Sequence, residues 1–168
     1  FNGIYIYQIF TRYGFSISQS LALTSLVFAL IFLIHGLSVA PALWLIAKKG
    51  LRFSVFWGNI FLILFYILLF ISKYDPIFFI LASFCGGVQL GLYWTAYHTY
   101  FVELTDDASQ GEEISINNSL AALASVGAPA FGGLIINYFG FEILFFVITL
   151  LMIIAIFPLK YLPRQEDR

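Results

Sequence analysis

Charged residues fall along this chain in small groups, and the stretches between the groups are long and apolar. Residues 13–47, 53–72, 76–102, 114–141 and 143–159 hold no Asp, Glu, Lys or Arg, giving runs of 35, 20, 27, 28 and 17 residues. A helix rising about 1.5 Å per residue needs about 20 apolar residues to cross hydrocarbon. Lipid offers the backbone no hydrogen-bond partner, so each such run is expected to be helical. Runs such as Ile60-Phe61-Leu62-Ile63-Leu64-Phe65 lack the alternation of a barrel strand. The pattern therefore predicts an all-α integral membrane protein, a polytopic bundle of five complete transmembrane helices at about 18–47, 53–72, 76–102, 116–138 and 142–160. Residues 1–10 are apolar and aromatic but too short to cross, and read as a partial first helix. Because the chain begins inside that run without Met, it is expected to be a fragment lacking most of its first helix. The bundle then occupies 1–162, and 163–168 is a cytoplasmic polar tail or the start of a central linker.

Composition agrees with the bilayer as solvent. Hydrophobic residues make up 61% of the chain, aromatic residues 20% and charged residues 10%. An ordinary soluble domain has about 45–50% apolar and about 25% charged residues. The net charge of −1 provides no basic stripe for nucleic acid. A single cysteine, Cys85, excludes a disulfide framework and a multi-cysteine metal site. With alternating loops, Lys48, Lys49, Arg52, Lys160, Arg164 and Arg168 share one side, and Arg12 and Lys73 the other. The positive-inside rule puts loops 48–52 and 103–115 in the cytoplasm, and the cell (plasma) membrane is the expected location.

The helices differ in what they present. In the fourth, Ala82, Gly86, Gln89, Tyr93, Ala96, Tyr97 and Tyr100 fall in one stripe at 100° per residue. An amide and three phenols there serve either hydrogen bonding to a neighbouring helix and the interfacial aromatic belt, or the wall of a solvated cavity. Ser83, Gly87, Gly91, Trp94 and His98 gather on the opposite face, where Gly87 and Gly91 admit close approach of another helix. In the fifth, Asn118, Ala121, Ala122, Ser125, Ala128, Pro129, Gly132 and Gly133 share one small-residue side, with a kink expected at Pro129. The third helix and the last carry few polar residues and are expected at the periphery. His35 and His98 are structural histidines or proton relays; with no third ligand in view, no metal is expected. Neither a nucleophile elbow, a phosphate loop, His-Glu-x-x-His nor paired helix carboxylates occur, so no enzyme activity and no cofactor are expected. Asp106-Asp107 reads as hydrated surface.

These residues resemble the amino-terminal half of a major facilitator superfamily transporter. GLYWTAYHTYFVELTDDASQGEEIS (91–115) is similar to the family's fourth helix and following loop. ASVGAPAFGG (124–133) resembles the motif of its fifth helix, with Gly127, Pro129, Gly132 and Gly133 in matching places and Ala128 where a glycine is usual. The loop between helices two and three departs from the family pattern. LWLIAKKGLR (43–52) keeps Lys48, Gly50 and Arg52, whereas Leu43 and Ala47 replace its glycine and aspartate. Glu103 is a candidate substitute for that carboxylate, and Ser83 stands where proton-coupled members often have arginine.

The resemblance implies a secondary transporter moving a small solute by alternating access, this bundle rocking against a second six-helix bundle supplied by a carboxyl-terminal half or another copy. Gln89, Tyr93, Tyr97 and Tyr100, with Asn118 and Ser125, are the expected substrate path. Gly87, Gly91, Gly127, Pro129, Gly132 and Gly133 would serve packing and movement, and Lys48, Gly50 and Arg52 the cytoplasmic gate. The partners are then a small-molecule substrate and membrane lipid. The alternative is a non-transporting membrane interaction or assembly protein that retains the fold.

Overall fold

The computed structural model describes residues 1–104 and 110–157, apart from the side chains of 101–104, 110 and 113. Glu103's side chain, the Asp106-Asp107 pair and the 163–168 tail lie outside the described residues. The chain forms α1 (Asn2–Arg12), α2 (Ile17–Lys49), α3 (Leu51–Ile71), α4 (Phe78–Leu104) and α5 (Gln110–Ile156), with no strand among the described residues. The all-helical membrane class expected from the apolar runs is the class observed.

Local chemistry sets the helix ends. Ser16 and Gln19 form a capping box that starts α2: Ser16 Oγ accepts from the Gln19 N–H at 3.3 Å, and Gln19 Oε1 accepts from the Ser16 N–H at 3.0 Å. α2 continues through Pro41 to Lys49. Gly50, at φ 85°, ends it and turns the chain into α3 within one residue, a left-handed conformation that favours glycine. Between α3 and α4, the Ile77 N–H donates to Asp75 Oδ1 at 2.9 Å, so α4 begins at Phe78 rather than at 76.

The helix count departs from expectation in one place. Segments expected at 116–138 and 142–160 run together as α5, helical throughout except at Gly140, where φ is 81° and ψ 175°. Helical backbone angles persist through Pro129, and the single interruption falls eleven residues later. Among the described residues four helices are long and apolar enough to cross a membrane, and α5 contributes 43 residues, Ile114–Ile156, to that set. At about 1.5 Å per residue such a stretch is roughly twice the hydrocarbon thickness, so it folds as two arms.

Contacts show that the arms run in opposite directions. Gly132, on the first arm, lies against the Phe1 ring. Beyond Gly140, Glu142 pairs with Lys73, at the turn after α3. Phe145 then packs on Tyr5 and Tyr66, at centroid distances of 4.8 and 5.7 Å. The second arm thus retreats from the end that the first approached.

A single core joins α1 to α4 and the second arm of α5. Tyr5, Ile6, Ile9 and Phe10 meet Val27 and Ile31, Phe65 and Leu69, Phe79, Ala82 and Cys85, and Phe145. Elsewhere large apolar side chains point outward, among them Leu26, Phe32, Leu37, Phe131 and Phe146. That inversion suits helices with lipid around them. The first arm of α5 is exposed along most of its length.

Candidate functional site

α4 holds the polar residues of interest because two neighbours clamp it from different sides. On the α2 side, a Cβ built on Gly87 would lie 2.5 Å from Ile34 Cβ and 2.7 Å from the Ile31 carbonyl oxygen. One built on Gly91 would lie 2.5 Å from Ser38 Cβ. These contacts bring the two backbones together, as the Gly87/Gly91 spacing suggests. On the α3 side, Gly86 meets Phe65, and Gly58 lies against Tyr93, with 3.2 Å between its built Cβ and Tyr93 Cβ. Ser54 Oγ donates to the Leu92 carbonyl at 2.9 Å and ties α3 to α4 below that crossing.

The expected path residues distribute themselves around this frame. Gln89 is 8% exposed and lies on the α4 face between the Gly86 and Tyr93 contacts with α3. Tyr93 and Tyr97 are half-buried, their rings stacked at 6.3 Å with 13° between planes. Tyr100 is exposed near the end of α4. Asn118 and Ser125 stand exposed on the first arm of α5, where Ser125 Oγ donates to the Ala122 carbonyl at 2.7 Å. α3 therefore covers part of the α4 stripe, and Gly58 is the residue that lets it come so close. The sequence gives no periodic signal for that contact, since Gly58 stands alone among larger residues of α3.

Of the packing residues on α5, Gly132 is buried against Phe1, whereas open space surrounds the built Cβ positions of Gly127 and Gly133. At the turn between α2 and α3, Gly50 is buried and Arg52 half-buried. Lys48 reaches back so that Nζ sits 4.2 Å from the Trp44 ring centroid, a cation–π contact.

At the opposite end Lys73 bonds Glu142, and Tyr13 Oη donates to the Lys73 carbonyl at 3.1 Å. The Glu142 bond, first among its causes, raises the lysine pKa above the usual value of 10.5.

A groove of about 570 Å³ runs along the α2–α4 seam and contains none of the six expected path residues. His35 and His98 both line it, together with Trp94, Thr95 and Thr99. Among the described residues His35 Nδ1 is buried without a hydrogen-bond partner, a state that costs about 1–3 kcal/mol. Trp94 and His98 stack at 5.8 Å with 29° between their rings. Among the described residues no three His, Cys, Asp or Glu side chains converge as metal ligands.

A family model described as Major Facilitator Superfamily matches residues 1–168. No curated protein and no solved structure matches the chain. Apolar helices of membrane-crossing length, the glycine-mediated seams of α4 and this match over the full length agree: the chain belongs to the Major Facilitator Superfamily, a family of transporters.

Proposed function

We propose that this chain is one helical bundle of a secondary transporter that carries a small solute across the plasma membrane by alternating access. The observation that carries the reading is the match of the whole chain to a transporter family. In this reading loops 48–52 and 103–115 face the cytoplasm, following the lysine and arginine asymmetry. A second six-helix bundle completes the carrier, and the solute site lies between the two near the membrane midplane.

The path runs along α4 past Gln89, Tyr93, Tyr97 and Tyr100, with Asn118 and Ser125 contributed by α5. Phenol and amide groups hydrogen-bond a polar solute while the rings cover its flat faces. Tyr100, Asn118 and Ser125 are the exposed members in the conformation described, and Gln89 is reached when α4 shifts against α3. The small residues around Gly127, Pro129, Gly132 and Gly133 give α5 a smooth moving surface. Gly87 and Gly91 hold α4 on α2, and Lys48, Gly50 and Arg52 form the cytoplasmic gate.

Uptake by cells expressing the intact protein, measured over a panel of neutral solutes, tests the path. Gln89→Leu and Tyr93→Leu are expected to lower uptake about tenfold, the loss of roughly one hydrogen bond, at unchanged expression. Uptake by both variants at the level of the unaltered protein would remove the path assignment. A protein that carries no solute on the panel, yet assembles with partner membrane proteins, would favour the assembly role.

A further inference from the structure

We propose that the groove along the α2–α4 seam is a binding site for a small neutral solute with one flat face and one hydrogen-bonding edge. This rests on the transporter reading above and assigns it a solute-binding surface distinct from the Gln89–Tyr100 stripe.

Sequence explains why the groove exists. Gly87 and Gly91 draw the α4 backbone onto α2 between Ile31 and Ser38, close enough that any Cβ would collide. Trp94 and His98 follow on the same face of α4, one and two turns further on. Their rings are too large to continue that approach, so the seam opens. Its volume of about 570 Å³ falls within the range of small-molecule sites, about 300–1,000 Å³.

The lining states what fits. No Lys, Arg, Asp or Glu is among the lining residues, so a charged solute would find no counter-ion. Phe32, Val39, Leu43 and Leu90 supply apolar flanks. The stacked Trp94 and His98 rings offer a platform for a flat group. Among the described residues His35 Nδ1 is buried and unpartnered, and a neutral imidazole nitrogen is always a donor or an acceptor, so it calls for one complementary group. Thr99 Oγ1 spends its proton on the Thr95 carbonyl at 2.8 Å, leaving its lone pairs to accept a further bond. An acyl chain satisfies none of these groups, and intramembrane imidazoles against lipid are costly. A solute with a polar edge supplies the partner that His35 Nδ1 lacks.

The probe is para-nitrobenzamide, a neutral ring with an amide edge whose nitro group quenches indole fluorescence. The whole protein is placed in lipid nanodiscs with Trp94 as its sole tryptophan. Saturable quenching of Trp94 is expected, weakened about tenfold in His35→Phe, which keeps the ring and deletes the nitrogen. A companion protein with Trp57, exposed on α3, as the sole tryptophan should show linear, unsaturable quenching. If His35→Phe fails to fold, a cysteine at Val39 in a Cys85→Ala background replaces it as the readout. That thiol should react with a water-soluble thiosulfonate reagent and be protected by the probe. Linear quenching of Trp94, or a Val39 thiol sealed from the reagent by a helix or acyl chain, overturns the site. Uptake separates the two claims: transport with linear Trp94 quenching removes the groove alone, and saturable quenching without any transport removes the transporter reading alone.

Discussion

Three glycines in membrane-crossing helices differ in what a methyl group would meet. At Gly87 the new atom would strike Ile34 Cβ and the Ile31 carbonyl, the latter part of a rigid helix backbone. At Gly91 it would strike Ser38 Cβ. At Gly36 nothing lies within 4 Å. Overpacking of this kind costs about 1–3 kcal/mol, whereas removing a glycine from an open helix position gains about 0.5–1 kcal/mol. Gly87→Ala and Gly91→Ala should therefore unfold at lower temperature than the unaltered protein in detergent, and Gly36→Ala at the same or higher temperature. Equal shifts at all three positions would contradict the close α2–α4 crossing. The Gly87/Gly91 spacing was readable in advance because two small residues one turn apart share a face. Gly58 was not, since a lone glycine has no periodic companion to mark its role.

At the scale of elements, charge-free runs gave the helices, because a segment in lipid has one way to satisfy its backbone. Their ends were less readable. The boundary at Phe78 depends on Asp75 accepting from a backbone N–H, a local bond with no hydropathy signature. The fifth and sixth expected helices are separated by three residues in the sequence pattern but by one in the structure, because Gly140 reverses the chain alone. Open space around Gly140 makes a clean test: Gly140→Ala meets no atom but must hold φ near 81°. The expected cost is about 1–2 kcal/mol, read as a lower midpoint of thermal unfolding. A midpoint equal to that of the unaltered protein would show that the reversal is made elsewhere. The Gln89 stripe shows the other limit. Helical periodicity assigns its amide and phenols to one face, yet periodicity does not say which neighbour that face meets, and α3 approaches Tyr93 through Gly58.

For the whole molecule, one end is held by a clasp that links three connections: Tyr13 after α1, Lys73 after α3 and Glu142 after Gly140. Because folding raises the Lys73 pKa, its contribution is complete below the unfolded value and fades as pH climbs through the raised one, above 10.5. Stability followed to alkaline pH should show this loss in the unaltered protein and lack it in Lys73→Met. The same clasped end is the one that the transporter reading puts outside the cell, opposite the Lys48–Arg52 turn. Single cysteines at Tyr74 and Lys49, both exposed, in a Cys85→Ala background place those ends directly. With a membrane-impermeant maleimide on sealed cells, Tyr74→Cys should label at once and Lys49→Cys only after permeabilisation. Labelling of Lys49→Cys from outside, alone or together with Tyr74→Cys, would contradict the account.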